Sequence, residues 1–288
     1  MRYHVNGDLV AESEASVSVL DRGFMYGDAG FETLRAYGGR VFEWDAHRDR
    51  LERTCATLGM PDAVPDDLHD RVRATLDAND LDDAYVKTSV SRGVQPGKLT
   101  PLPDVDPTVV VIVKPLPRGG VDGTPVWDDP ATLQTVETQR VPSTAIPADA
   151  KTHNYLNGIL ARLELRAPDG DPAADEALLR DADGYLAEGA TSNVFFVADG
   201  TLHTPTLDGP VLPGVTRAVV VELAREADVP VETGRYTVDD VREADEAFVT
   251  NTTWEVRPVA TVDDVPVGGG PVTDRLARAF DRRVERFY

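Results

Sequence analysis

An imine with a carbonyl compound needs an amine that can lose its proton, and the 288-residue chain offers four lysines for it: Lys87, Lys98, Lys114 and Lys151. The chain has 29 basic residues; the remainder are arginines, whose guanidinium does not deprotonate. Lys87 falls in a strand pattern, where lysines usually face solvent. Lys98 sits at a loop tip, Pro96-Gly97-Lys98, and Lys114 ends an apolar strand beside Pro115 at a domain edge. Lys151 differs, standing just before an apolar helical pattern in Lys151-Thr152-His153-Asn154-Tyr155-Leu156-Asn157. A helix beginning at or before Lys151 would set Tyr155 one turn away on the same face. An amine beside a phenol suits an imine to a cofactor bearing a phenolate oxygen; the plainer alternative is a helix-terminal lysine.

Three other segments carry chemistry. Glu188-Gly189-Ala190-Thr191-Ser192-Asn193-Val194-Phe195 sets a carboxylate before a glycine turn and an apolar strand. Buried there, the carboxylate would need a cationic partner such as a protonated ring nitrogen; in solvent it would be an ordinary strand-end glutamate. Leu212-Pro213-Gly214-Val215-Thr216-Arg217 runs directly into a helical pattern, so the N–H groups near Val215 and Thr216 could cradle a phosphate or simply start a helix. Thr250-Asn251-Thr252-Thr253 adds hydroxyls to the same anion, or forms a polar turn.

The elements that must position these residues read as two α/β domains. Asn6-Gly7 and Gly38-Gly39 each separate two short strand patterns, the signature of tight hairpins. Helices are predicted at 45–59, with Asp45 as N-cap and Leu51, Cys55 and Leu58 on the inner stripe, and at 66–78. Apolar strands follow at Ala84–Val90 and Thr108–Val113. The Pro- and Gly-rich stretch 116–125 reads as a linker between a small N-terminal α/β domain (1–115) and a larger C-terminal one (126–288) carrying Lys151. In the second part strands are predicted at Leu133–Thr138, Ala177–Leu179, Tyr185–Ala187, Asn193–Val197 and Ala247–Thr250. Helices are predicted at 154–166, 216–227 and 273–286, the first burying Leu156, Ile159, Leu160 and Leu163.

Composition narrows the setting. Fifty acidic residues against 29 basic give a net charge of −21, which argues against nucleic acid and anionic membrane as partners. No apolar run approaches a bilayer span, and Cys55, the single cysteine, excludes an internal disulfide or a cysteine-cluster metal site. A cytoplasmic location is expected, and the acidic excess with arginine over lysine suits a high-salt, halophilic cytosol that screens self-repulsion.

In this order the segments resemble the class IV (fold type IV) family of pyridoxal-phosphate enzymes. The likeness runs from Asp21-Arg22-Gly23-Phe24-Met25-Tyr26-Gly27-Asp28-Ala29-Gly30-Phe31-Glu32-Thr33-Leu34-Arg35 to Phe248-Val249-Thr250-Asn251-Thr252-Thr253-Trp254-Glu255-Val256-Arg257-Pro258-Val259. It implies a two-domain α/β fold with a C-terminal pseudo-barrel, a homodimer, no metal, and pyridoxal 5'-phosphate as cofactor. By resemblance Lys151 forms the cofactor imine and moves the substrate proton. Glu188 keeps the pyridine nitrogen protonated, and Leu212 packs on the ring. Arg50, Val215, Thr216 and Thr252 hold the phosphate, and Tyr155 meets the phenolic oxygen. Tyr26 and Phe31 are expected around the amino substrate; Arg92, in Ser91-Arg92-Gly93, is read as a residue that meets a substrate carboxylate or forms a strand-end salt bridge.

The family includes 4-amino-4-deoxychorismate lyase and the branched-chain and D-amino-acid aminotransferases. Phe31-Glu32-Thr33-Leu34-Arg35 resembles the threonine-bearing lyase form, with Thr33 assisting proton transfer, whereas branched-chain enzymes usually carry glycine there. Thr250-Asn251 resembles the lyase pattern too. The lyase is therefore the first expectation, an amino-acid aminotransferase the second. His153 and His47 are read as lining or helix residues.

Overall fold

The computed structural model describes residues 1–118, 127, 129–166 and 173–288. Most of the predicted linker 116–125 lies outside them. Two compact units form, one from Met1–Arg118, Asp149–Asn154 and Phe287–Tyr288, the other from Gly119–Ala148 and Tyr155–Arg286.

The first unit contains β1 (Arg2–Val5), β2 (Asp8–Ala11), α1 (Arg22–Tyr26), β3 (Ala29–Tyr37), β4 (Arg40–Val41), α2 (Trp44–Thr57), α3 (Leu68–Asp77), β5 (Ala84–Ser91) and β6 (Thr108–Pro115). Its six strands form an antiparallel sheet in the order β2-β1-β6-β5-β3-β4. Both predicted hairpins form. Asn6 and Gly7 take φ of 50° and 104°, and Gly38 and Gly39 take 52° and 74°, the left-handed values that two-residue hairpin turns require. α2 and α3 cover one face, packing Leu51, Cys55, Val72 and Leu76 on Leu34, Val86 and Val111. Each such buried aliphatic side chain contributes about 1.5–3 kcal/mol. The N-cap of α2 is Glu43, which makes no side-chain cap bond, rather than the expected Asp45, which lies in the first turn.

The segment carrying Lys151 departs from expectation in two ways. It belongs to the first unit, not to the C-terminal domain, and it is extended rather than helical. Phe31 N–H donates to the Lys151 carbonyl at 3.0 Å, and His153 N–H to the Ala29 carbonyl at 2.9 Å. Thr152 bridges Gly30 antiparallel. Residues 151–153 thus extend the sheet along the part of β3 that β4, paired only at Ala36 and Tyr37, leaves open. Filling that edge satisfies backbone groups that a helix start would have left unpaired.

The second unit contains β7 (Ala131–Thr135), α4 (Leu156–Leu163), β8 (Glu176–Arg180), β9 (Leu186–Gly189), β10 (Asn193–Ala198), β11 (Thr201–Pro205), α5 (Val215–Glu226), β12 (Val231–Gly234), α6 (Val238–Arg242), β13 (Glu246–Asn251), β14 (Glu255–Val262), β15 (Val265–Pro266) and α7 (Pro271–Val284). The sheet order is β12-β11-β10-β13-β14-β7-β8-β9, with β15 on β14. β9 also packs beside β10 and β11, so the sheet curls back on itself. Phe195 and Phe248 stack at 4.9 Å in its core, and α5 packs with α7 and β13. α7 is held at its start by Glu246 of β13, whose two carboxylate oxygens accept the N–H groups of Val272 and Thr273 at 3.0 and 2.7 Å.

α4 reverses the expected burial. Leu156, Ile159, Leu160 and Leu163 are 43–64 % exposed, while Ala161 on the other side is fully buried. The apolar stripe that reads as a core face points outward.

Candidate active site

In the first unit the site grows from β3 and its neighbours. Strand alternation sends Phe31 and Thr33 to one face and Glu32 and Leu34 to the other. On the first face the Lys151 and Lys87 amines each lie 4.7 Å from the Phe31 ring centroid. The electron-rich ring face attracts both cations. Lys87 stands opposite Thr33 in the β3–β5 register, and burial, followed by the charge of Lys151, lowers its pKa. The expectation that Lys87 faces solvent is therefore not met; the register that sets it opposite Thr33 is visible only in the fold. His153 packs edge-on against Phe31 at 5.5 Å, with Nε2 3.2 Å from Ser89 Oγ. Burial and then the charge of Lys87 push its pKa down to about 4, so the imidazole is neutral at physiological pH. Thr33 hydrogen-bonds with the Tyr85 hydroxyl.

On the opposite face α2 presents His47, Arg50 and Thr54, positions i, i+3 and i+7 of one helical stripe. Thr54 Oγ1 accepts the Lys151 amide N–H at 3.0 Å. Gly30 allows this close approach, since a Cβ there would lie 2.8 Å from Thr54 Cγ2. Arg50 is 3 % exposed and is gripped by the Glu32 carboxylate, Nε to Oε1 at 2.7 Å and Nη2 to Oε2 at 2.6 Å.

Two substrate candidates of this unit turn out differently. Arg92 is 5 % exposed. Its Nε and Nη2 donate to Asp28 at 2.7 and 3.2 Å, and further N–H groups reach the carbonyls of Leu58 and Gly59. Asp28 also accepts from Arg22 at 2.8 Å. Although its burial raises the pKa, the hydrogen bonds and charges of Arg92 and Arg22 hold it below the ordinary carboxylate range. Arg92 is thus part of a strand-end ion network, the alternative that its place in Ser91-Arg92-Gly93 left open beside a substrate carboxylate. Tyr26 ends α1, partly exposed, with the Arg22 guanidinium 4.9 Å from its ring centroid.

In the second unit Glu188 is the penultimate residue of β9 and is 7 % exposed. Its Oε1 accepts Arg140 Nε at 2.7 Å, and its Oε2 accepts the Leu212 N–H at 2.9 Å and Asn193 Nδ2 at 3.4 Å. Three donors favour the ionised carboxylate. Asn193 Nδ2 also donates to the Leu212 carbonyl at 3.0 Å, tying this loop to β10. Gly214 is the N-cap of α5 and makes no side-chain cap. A Cβ there would fall 2.0 Å from Asn193 Oδ1. Val215 and Thr216 therefore begin a twelve-residue helix whose first N–H groups have no side-chain cap, a ready anion site. Thr250 Oγ1 is buried without a hydrogen-bond partner, and Thr252 follows at the end of β13. Tyr155 immediately precedes α4. Arg140 and Asn193, absent from the sequence expectations, are the partners that hold Glu188.

Each unit by itself carries groups that fit parts of pyridoxal phosphate. In the second, the Glu188 carboxylate suits a protonated ring nitrogen and the uncapped start of α5 suits a phosphate; in the first, Lys151 supplies an amine. Among the described residues no cluster of His, Cys, Asp or Glu could hold a metal, and no helix is long and apolar enough to cross a membrane.

Comparison with known proteins agrees with the geometry. Residues 29–262 match the family Amino-transferase class IV. A Methanocaldococcus jannaschii protein assigned as a branched-chain-amino-acid aminotransferase is 35 % identical over 97 % of this chain and 95 % of its own. D-alanine aminotransferase of Staphylococcus haemolyticus is 31 % identical over 98 % and 97 %. Among solved structures, the branched-chain aminotransferase of Thermoproteus uzoniensis with norvaline superposes with a TM-score of 0.89 at 30 % identity, over 99 % of this chain and 94 % of that one. The 4-amino-4-deoxychorismate lyase of Pseudomonas aeruginosa gives 0.79 at 28 % identity, over 95 % and 96 %. The chain belongs to the class IV aminotransferase family and is a pyridoxal-phosphate-dependent enzyme.

Proposed function

We propose that the chain is an amino-acid aminotransferase of the branched-chain type, transferring an amino group to a 2-oxo acid. The observation that carries this reading is the near full-length, 35 % identity to the Methanocaldococcus jannaschii protein. Pyridoxal phosphate, when bound, supplies a carbonyl that condenses with amines and a ring that spreads the electron pair left at the amino-bearing carbon. Lys151 supplies the protein's amine and carries the proton at that carbon. Glu188, held anionic by Arg140 and the Leu212 N–H, keeps a proton on the ring nitrogen. Arg50, the N–H groups of Val215 and Thr216, and Thr252 hold the phosphate. Leu212 covers the ring and Tyr155 meets its phenolic oxygen. Phe31 and Tyr26 shape the space for the substrate side chain.

The lyase, first in the sequence expectations, ranks second. Its support is Thr33, a hydroxyl on the same sheet face as Phe31 where it can assist a proton transfer. A single assay separates the two. Purified enzyme is offered L-leucine, D-alanine or aminodeoxychorismate, each with and without 2-oxoglutarate. Acceptor-dependent turnover of L-leucine supports the branched-chain reading, and turnover of D-alanine alone would replace it with the D-amino-acid type. Steady pyruvate release from aminodeoxychorismate without acceptor would overturn both in favour of the lyase. The outward stripe of α4 supports a homodimer, since an apolar face of this kind marks an interaction surface.

A further inference from the structure

We propose that Glu32 is a positioning residue for phosphate recognition, fixing the guanidinium of Arg50 while His47 fixes Glu32. The inference rests on the reading that Arg50 holds the cofactor phosphate. It goes beyond that reading by explaining why a carboxylate is buried against a cation meant for an anion.

Three polar side chains lie in one buried layer between β3 and α2, with Glu32, His47 and Arg50 exposed by only 1, 2 and 3 %. Both Glu32 oxygens are used in a fork: Nε to Oε1 and Nη2 to Oε2. Such two-point pairing fixes the plane and direction of a guanidinium, where a single bond would leave rotation about it. Glu32 Oε2 also lies 2.7 Å from His47 Nδ1. A carboxylate anion only accepts, so the imidazole donates from Nδ1. His47 is kept neutral, its pKa lowered by burial first, with the charges of Arg50 and Lys151 acting in the same direction against Glu32. The layer therefore holds one anion, one cation and one neutral donor. Extra positive charge would attract a phosphate more strongly, yet it would leave the arginine side chain unguided.

Stability alone is a poor reason for this arrangement, because a buried ion pair is often no better than apolar residues of similar volume. Position is a better one. The same helical stripe carries Thr54, which holds the Lys151 amide. Glu32 and α2 thus set the reach of Arg50 in the same rigid frame that sets the Lys151 backbone.

The test compares pyridoxal phosphate with pyridoxal, which has the ring and carbonyl but no phosphate. Protein stripped of cofactor is titrated with each compound for the wild type, Arg50→Ala, Glu32→Gln, Glu32→Asp, and Arg50→Ala with Glu32→Gln combined. Expected for Glu32→Gln is a loss of about tenfold or more in pyridoxal-phosphate affinity, with pyridoxal affinity within about twofold of wild type. The combined variant should be no worse than Arg50→Ala. Equal losses for both compounds, no loss, or additive losses in the combined variant would overturn the role of Glu32. Glu32→Asp keeps the charge and shortens the reach, so it carries the test if Glu32→Gln does not fold. It should show the same phosphate-selective loss with an unchanged circular dichroism spectrum. If Arg50→Ala itself treats the two compounds alike, the phosphate reading of Arg50 fails, a result distinct from failure of Glu32 alone.

Discussion

The amide of Lys151 donates to Thr54 Oγ1 across 3.0 Å, although the two residues lie nearly a hundred positions apart. This bond joins the candidate amine to the helix that carries Arg50, one turn earlier. Thr54 is fully buried, so Thr54→Val keeps the shape and removes the hydroxyl that accepts the Lys151 N–H. The expected cost is about 1–3 kcal/mol, read as a lower melting temperature, together with a kcat loss exceeding any rise in KM. An unchanged melting temperature and kcat would remove Thr54 from the frame.

Lys151 itself has a sharper test. Borohydride treatment of the loaded wild type should leave a pyridoxyl group on one peptide, and mass spectrometry should place it at Lys151. Lys151→Ala should show no such adduct. An adduct on Lys87, whose amine lies at the same 4.7 Å from the Phe31 ring, would move the chemistry to that residue.

Acid sensitivity follows from three buried groups. Glu32 is lowered to about 2 from 4.5; burial opposes this, but Arg50 and the bond from His47 outweigh it. A depressed carboxylate contributes stability that is complete above the unfolded value and is lost as pH falls toward about 2. His47 and His153 are also lowered, both mainly by burial, the latter to about 4. In the unfolded chain they take up protons below about 6.5, so their contribution is likewise lost on acidification. Melting temperatures should therefore fall from about pH 6.5 downward. His153→Gln should flatten the part of that slope between about 6.5 and 4; an identical slope would show that His153 takes up its proton equally in the folded and unfolded states, so that folding does not lower its pKa.

What the sequence disclosed, and what it hid, follows the range of the interactions. The two hairpins were legible because Asn6-Gly7 and Gly38-Gly39 carry their own turn chemistry. α2, α3, α5 and α7 were legible from helical periodicity, to within a few residues at their ends. The Lys151 segment was not, because its partners Ala29 and Phe31 are about 120 positions away and no local pattern names them. Extended pairing with β3 then overrode a helix-like composition. α4 misled for a different reason: the same stripe of leucine and isoleucine serves a core or an interface equally well. β14 escaped notice because Arg257 and Pro258 break its alternation. In the site, Lys151 and Glu188 stood out by type and context. The residues that hold them, Thr54 and Arg140, have meaning only once the fold brings them near.

Arg92 separates positioning from substrate binding. Removing one partner of a buried ion network costs about 3–5 kcal/mol, so Arg92→Ala should destabilise the first unit strongly. Arg92→Lys should recover only part of the loss, since an ammonium cannot reproduce the contacts to Asp28 and to the Leu58 carbonyl together. KM for the amino substrate should change little in the lysine variant. A large rise in KM with an unchanged melting temperature would return Arg92 to the substrate.

The apolar stripe of α4 yields the last test. Leu156, Ile159, Leu160 and Leu163 follow the i, i+3, i+4, i+7 spacing of a helix face that buries itself, yet all four are exposed in the single chain. An acidic protein with a net charge of −21 gains nothing in solubility from such a stripe, and covering it is the simplest account of its sequence. The expected cover is a second copy of the chain. Ile159→Glu and Leu160→Glu each place a charge where the stripe would meet its partner, and should shift the mass in sedimentation equilibrium from dimer toward monomer. Salt should sharpen the comparison, since screening relieves repulsion between two acidic chains while leaving a buried unpaired glutamate costly. Wild type should associate more tightly as salt rises, and the variants should stay weaker at every salt concentration. A wild type that sediments as a monomer throughout would leave the stripe without a second copy as its cover.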